Sequence, residues 1–453
     1  MRRAGWARRS EKAAGGPHLD LPAGRCSYDG VKILVVGSGG REHALGWSIR
    51  RDAPEAFLSF APGNPGTAGI GTNFPVPAHD VEGLAALANE RDIDLTIIGP
   101  EVPLALGLAD RLQAAGRLAF GPTRSAARIE GSKAFAKDLM QRAGVPTAAS
   151  RTFRTLPDAL AYVDRHAEPL VVKASGLAAG KGAVVCATRK EAADAVRAML
   201  ETHILGEAGL EVVIEEFMEG EELSVFALTN GRDLTLLPAA QDHKRLEEGD
   251  RGPNTGGMGA YSPVSLGTAA LLTRVTTEIL EPTLAAMTAE GSRFAGLLYA
   301  GIMISLGGDP RVVEFNCRFG DPETQTILPL LRPGLLGALH RVARGESPGP
   351  LERLPGYTVT TVLGSRGYPE NPEKGAAITI PAELDRDVLV FHAGTARGED
   401  GVLRVSGGRV LSVTGTGTTL PDAQRRSREA AERITFATRI FRRDIGWREM
   451  ART

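Results

Sequence analysis

Glu314, Asn316 and Arg318 stand two residues apart in the run Val-Val-Glu-Phe-Asn-Cys-Arg. On an extended strand this spacing puts all three on one face, about 6.6 Å per step, with Val313, Phe315 and Cys317 on the other. A carboxylate and an amide oxygen so placed suit magnesium, a hard cation that takes oxygen ligands and keeps several waters. Arg318 beside them would stabilise charge on a transferring phosphoryl group. The plain alternative is a polar strand face turned to water. Against it, Phe-Gly-Asp-Pro-Glu follows at once and adds Asp321 and Glu323.

Two glycine loops could hold phosphate. Gly37-Ser38-Gly39-Gly40-Arg41-Glu42 follows an apolar run and opens a helical pattern. The dinucleotide fingerprint fails there: Glu42 takes the place of its third glycine, and no acid ends the next strand near Phe57–Phe60. Backbone N–H groups at the helix start, with Arg41, could still take a phosphate, or the loop is a tight turn without ligand. Gly176-Leu177-Ala178-Ala179-Gly180-Lys181-Gly182 has the wrong count for a Walker loop, and Gly182 stands where Ser or Thr is needed. Flanking strand-like runs make it a glycine-rich hairpin, flexible enough to close over a triphosphate, with Lys173 and Lys181 supplying charge. Glu215-Glu216-Phe217 ends an apolar strand and could offer backbone groups to adenine and a side chain to ribose, with Glu222 just beyond; in isolation these read as ordinary surface acids. Gln241-Asp242-His243-Lys244-Arg245 clusters charge in a loop, where His243 is either functional or a satisfied structural histidine.

The elements that must position these groups read as alternating strands and helices. Val31–Gly37 and Leu95–Ile98 suit buried parallel strands, and a helix is expected from about Glu42. Strands are expected at Leu170–Lys173, Ala183–Ala187, Val212–Phe217, Leu223–Leu228, Tyr299–Ser305, Arg311–Asn316, Tyr357–Leu363 and Arg409–Thr414, with hairpins where no helix fits between. Gly252–Gly259 is a loop by composition. A helix is expected near Pro421–Ile434. The 453 residues suggest about three domains.

Net charge is −1, without the basic excess of a nucleic-acid binder. No apolar run approaches the roughly 18 residues of a membrane span. Cys26, Cys186 and Cys317 lie far apart, which excludes a cysteine-built zinc site and argues against a disulfide framework. A reducing cytoplasm fits. Residues 1–30, rich in arginine and glycine, read as a disordered extension or an over-long start, with an organellar transit peptide as the lesser reading.

Many segments together, in one order from about Val31 to Arg448, resemble the phosphoribosylamine-glycine ligase family of the ATP-grasp superfamily. They are GSGGREHAL from Gly37, APGNPGTA from Ala61, IGPEVPL from Ile98, EGSKAFAKD from Glu130, KASGLAAGKG from Lys173, IEEFMEGEE from Ile214, QDHKR from Gln241, GPNTGGMGAYSP from Gly252, EFNCRFGDPETQ from Glu314, FHAGT from Phe391 and RDIGWR from Arg443. Any one is weak; the conjunction is specific. Ser175 departs from the Asp usual in the lysine-loop motif, and Leu363–Tyr368 departs from a more Ala-rich stretch.

The resemblance implies an α/β fold: an N-terminal open parallel-sheet domain (31–132), an ATP-grasp fold (133–345) with a small lid subdomain at about 150–222, and a C-terminal α+β domain (346–453). It implies that Lys133, Lys173, Lys181, Glu215, Phe217 and Glu222 contact ATP, and that Glu314 and Asn316 hold Mg²⁺ or Mn²⁺. Gly40, Arg41, Glu42, Asn64 and Glu101 would line the phosphoribosylamine side. Arg318, Asp321, Asp242 and Lys244 would face the reacting centre. The implied reaction, in de novo purine biosynthesis, joins glycine to 5-phosphoribosylamine through a glycyl phosphate. Its partners are small molecules, with no nucleic acid or membrane, and a monomer is expected. The rivals are another ATP-grasp carboxylate-amine ligase, which should differ at GSGGREHA and QDHKR, and a non-catalytic nucleotide-binding regulator, which should have lost a metal ligand or a loop lysine.

Overall fold

The computed structural model describes residues 28–178 and 182–452. Lys181 and the first 27 residues, on which the extension reading mostly falls, lie outside them. Strand Lys32–Gly37 is the centre of a parallel sheet in the spatial order Thr72–Asn73, Phe57–Pro62, Lys32–Gly37, Leu95–Ile98, Leu118–Phe120. Ile33 and Val35 face one core while Leu34 and Val36 face another, as expected of a strand covered on both sides. The following helix, Gly40–Asp52, begins two residues before the expected Glu42.

An antiparallel sheet forms the middle of the chain, in the order Leu234–Leu236, Glu221–Thr229, Gly296–Ile304, Pro310–Asn316. A separate antiparallel sheet joins Ser150–Phe153, Val212–Glu216, Leu170–Ala174 and Ala183–Cys186. It carries its own apolar cluster, from Phe153 to Ile214, with helices Leu156–Arg165 and Arg189–Leu200 against it. The expected hairpin at Leu170–Lys173 and Ala183–Ala187 forms. None forms between Val212–Glu216 and Glu221–Thr229, which belong to different sheets. The chain crosses between them at Gly220, whose φ is +148° and where a Cβ would lie 2.0 Å from the Ile304 carbonyl oxygen; only glycine passes so close.

The last sheet contains Tyr357–Ser365, Arg409–Gly417 and Val388–His392, with helix Leu420–Arg433 packed on it. Strands Gln241–Asp242 and Gly259–Ser262 leave the middle of the chain and pair into this sheet. Part of the expected 252–259 loop is thus strand: Arg251–Asn254 returns on Arg245–Glu247, and Gly259 starts the next pairing. The glycines there mark tight turning, with φ +78° at Gly252 and +107° at Gly257, which composition alone reads as a loop. Among the described residues no helix is long and apolar enough to cross a membrane.

Candidate active site

Three lysines and one glutamate gather where the separate sheet meets the middle one. Lys133 opens helix Lys133–Ala143, with Ser132 as cap. Its backbone N–H donates to the Ser175 carbonyl at 2.8 Å, and its Nζ to the Gly176 carbonyl at 3.3 Å. Ser175, the departure from Asp, accepts the Ala134 N–H on its hydroxyl at 3.2 Å and so still ties the loop to the helix start. One helical turn on, Lys137 reaches Glu215 Oε2 at 3.2 Å, and Lys173 reaches the same oxygen at 3.0 Å. Burial pulls Lys137 down to about 8, against the attraction of Glu215. Glu215 is 2% exposed and its Oε1 has no hydrogen-bond partner. An orphaned buried carboxylate oxygen costs free energy unless a ligand donates to it. Phe217, just past the strand, is exposed.

Strand Pro310–Asn316 carries a bulge: Gly301 pairs Glu314 but Ile302 pairs Val312. Val313 is therefore the extra residue, and Val312 takes the inward place expected of it beside Phe315 and Cys317. The freed Val313 carbonyl accepts the Lys173 ammonium at 3.1 Å. Opposite, Gly301 lets two carboxylates converge, since a Cβ there would sit 3.2 Å from Glu222 Oε1 and 3.8 Å from Glu314 Cγ. Lys244 is ion-paired to Glu222. Burial would raise the Glu314 carboxyl, but Lys244, Lys173, Lys133 and Arg318 outweigh it and hold it low. Burial likewise opposes the Lys244 charge, yet Glu222, Asp242 and Glu314 raise its pKa. The Asp242 carboxyl goes the other way: burial, with Glu323 and Glu222 nearby, pushes it well above the usual range despite Lys244.

Arg318 sits between two acids, Glu130 at 3.0 Å and Glu101 at 3.4 Å, and donates to Asn316 Oδ1 at 3.3 Å. Burial works against its charge, but Glu130 and Glu101 reverse that. Asp321 meets Arg409 of the last sheet at 3.4 Å and accepts from Gln325 at 2.7 Å. Burial would raise it; Arg409 and Arg41 keep it below its usual value.

The glycine loop faces this acid. A Cβ at Gly39 would lie 3.4 Å from Asp321 Oδ2, and one at Gly40 2.6 Å from Gln325 Nε2. Arg41 is not turned outward: its Nε pairs with Glu42 and its Nη1 donates to the Phe319 carbonyl at 3.1 Å. Glu42 Oε2 accepts the Gly39 N–H at 2.6 Å, so a carboxylate occupies part of the expected phosphate cradle. Asn64 is a brace, its amide donating to the Ser38 and His392 carbonyls, both at 2.9 Å. Glu101 stays ionised, because Arg318 and Arg41 overcome its burial. His243 is 1% exposed; its Nε2 accepts the Gly446 N–H at 2.8 Å, while its buried Nδ1 has no hydrogen-bond partner among the described residues, so the ring is only half satisfied.

Sequence reasoning missed Lys137, Glu130 and Arg409. Lys137 could have been found at i+4 from Lys133, on the same helix face. Glu130 and Arg409 meet their partners only through the fold.

Three family profiles cover most of the chain: the phosphoribosylglycinamide synthetase N domain at residues 31–130, its ATP-grasp (A) domain at 131–324 and its C domain at 358–448. The phosphoribosylamine–glycine ligase of Ralstonia nicotianae is 48% identical over 424 residues, covering 93% of this chain and 100% of that protein. That of Xanthomonas axonopodis pv. citri is 47% identical over 425 residues, covering 93% and 99%. The crystal structure of the Thermotoga maritima phosphoribosylamine–glycine ligase is 37% identical with a TM-score of 0.82, covering 92% of this chain and 100% of that one. The biotin carboxylase domain of the Hydrogenobacter thermophilus 2-oxoglutarate carboxylase, at 16% identity and a TM-score of 0.69 over 90% and 91%, shares the fold. With its N, ATP-grasp and C domains in order along almost its whole length, the chain belongs to the phosphoribosylglycinamide synthetase family.

Proposed function

We propose that the chain joins the carboxylate of glycine to the amine of 5-phosphoribosylamine, giving glycinamide ribonucleotide, ADP and phosphate, a step of de novo purine biosynthesis. The observation that carries this is that the charges of Lys244, Lys173, Lys133 and Arg318 all act on the Glu314 carboxylate, while Asp321, under the charge of Arg318, faces the loop that opens helix Gly40–Asp52. Glycine's carboxylate is a poor electrophile. Transfer of the γ-phosphoryl group to its oxygen gives glycyl phosphate and ADP. The amine nitrogen then attacks the carbonyl carbon, phosphate leaves, and the nitrogen loses a proton. Such chemistry needs positioning and charge neutralisation, not a covalent nucleophile.

In this reading Lys133, Lys173 and Lys181 grip the triphosphate, while Glu215, Phe217 and Glu222 meet the nucleoside. Arg318 and Lys244 offset charge developing on the acyl phosphate. Asp321, kept ionised by Arg409, and Asp242 orient the amines. Gly40, Arg41, Glu42, Asn64 and Glu101 line the phosphoribosylamine side. Glu314 and Asn316 would hold Mg²⁺ or Mn²⁺ through one ionised carboxylate and one amide oxygen, the latter accepting from Arg318 at 3.3 Å in the structure. The ion supplies charge neutralisation between the phosphates. The domain plan of 31–132, 133–345 with a lid at about 150–222, and 346–453 goes with this reading, as do a monomer and a cytoplasmic place. The test is ADP and product formation with glycine, 5-phosphoribosylamine or both omitted. Both should be required; equal turnover with a different acceptor amine would favour another carboxylate-amine ligase of the same fold.

A further inference from the structure

The buried ion network behind residues 242–244 lies outside the cluster of site residues and has no part in the chemistry above. In extended backbone, neighbouring side chains point to opposite sides. Lys244 turns to Glu222, while His243 turns inward, its N–H on the Gly259 carbonyl and its carbonyl on the Met258 N–H, both at 2.8 Å. Its Nε2 accepts the Gly446 N–H, so the ring is neutral with the proton on Nδ1, which faces Asp250 Oδ1 at 3.6 Å.

Asp250 stands at the tip of the hairpin that follows, in the left-handed region at φ +55°. Three donors from the far end of the chain hold it: Arg442 at 2.8 Å, Arg448 at 2.7 Å and the Trp447 indole at 3.2 Å. Arg442 is 1% exposed; it also makes two bonds of 2.8 Å to Asp444 and one of 3.0 Å to the Arg245 carbonyl. Asp444 in turn accepts the Gly249 N–H at 2.8 Å, and Glu248 the Arg443 N–H at 3.1 Å. Burying a guanidinium is costly, and well-packed apolar residues often stabilise as much or more. A network of this kind on an otherwise exposed hairpin is better placed to fix a geometry than to add stability.

We propose that the segment Arg442–Arg448 is a clamp that positions Asp242 and Lys244 for the reaction, with Arg442, Asp250 and His243 as positioning residues. It rests on the reading that Asp242 and Lys244 face the reacting centre. Lys133 and Lys173 belong to other elements, so the clamp acts first on the glycine and amine steps, and its link to the nucleotide side is the Lys244–Glu222 ion pair.

The test compares Arg442→Met, Arg442→Lys and Arg448→Met with Asp242→Asn and Lys244→Ala in the full chain. It reads kcat, KM for each substrate, the Kd of ATP and thermal melting. Arg442→Met should lower kcat roughly 10- to 100-fold, as small misplacements of catalytic groups do, with the ATP Kd changed far less than kcat. Arg442→Lys should recover part of the loss. Should Arg442→Met not fold, Arg448→Met removes one donor of three and should lower kcat a few-fold, with the ATP Kd changed less than kcat. Normal kcat in the soluble clamp variants overturns the proposal, as does a loss of ATP binding in step with melting. If Asp242→Asn and Lys244→Ala themselves turn over normally, the underlying assignment fails first; if they are impaired and the clamp variants are not, only the clamp fails.

Discussion

Lys244, Lys173, Lys133 and Arg318 all act on the Glu314 carboxylate. Replacing Glu314 by Ala should lower kcat on the order of 100-fold, the scale of losing one preorganised electrostatic contact. The magnesium dependence should shift upward while circular dichroism stays native. Near-normal turnover at saturating magnesium would remove Glu314 from the metal site. Lys137 gives a second prediction. Burial holds it at about 8 against an ordinary 10.5. Between those values the unfolded chain binds more protons than the folded one, so Lys137 makes stability rise with pH there, by at most about 1.4 kcal/mol per unit. Lys137→Met should lose that rise; urea unfolding of both proteins at pH 7.5 and 9.5 checks it, and equal slopes would refute it. At this scale the sequence was informative where residue type and spacing coincide, as in Glu314, Asn316 and Arg318. It showed Glu130 only as the start of a motif and Arg409 only as a strand end, because their partners lie elsewhere in the fold and leave no local pattern. Asn64 was visible as a motif residue, but its bracing of Ser38 and His392 was not.

Strand positions were legible from apolar runs, and the central Lys32–Gly37 strand matches its pattern almost residue for residue. Which strands pair was harder to see. Gly220 sits in a short gap that looks like a hairpin turn, yet it carries the chain from one sheet to another. The bulge at Val313 was hidden because three apolar residues in alternation satisfy a regular strand equally well; only the partner's register reveals the extra residue. Gly220→Ala should cost about 2–4 kcal/mol, from backbone strain plus overlap with the Ile304 carbonyl. Equilibrium denaturation measures it; a cost under about 1 kcal/mol, the usual Gly-to-Ala scale, would mean that the crossing relaxes easily.

One large apolar cluster links the first, middle and last sheets, from Leu34 through Val225 and Leu298 to Val359 and to Leu420 of the helix packed on the last sheet. The sheet of residues 150–216 has a smaller cluster of its own. Its opening should therefore be separable from global unfolding. Hydrogen exchange in Leu170–Ala174 and Ala183–Cys186 should be faster than in Gly296–Ile304, and should slow when ATP and magnesium bind. Exchange that is already slow and indifferent to nucleotide would make this sheet a rigid cradle instead of a lid.

The strands that leave the middle of the chain for the last sheet bear on how the molecule could be divided. A chain cut near residue 345 would keep Gly259–Ser262 but lose Tyr357–Ser365, its neighbour along four paired residues. All four residues of Gly259–Ser262 are buried in the intact molecule, so the cut would bare an apolar edge with unpaired backbone groups, the kind that recruits strands from other chains. The two halves therefore need each other for solubility as well as for activity. Expressed apart, they should become soluble only when made together, each supplying the missing edge of the other.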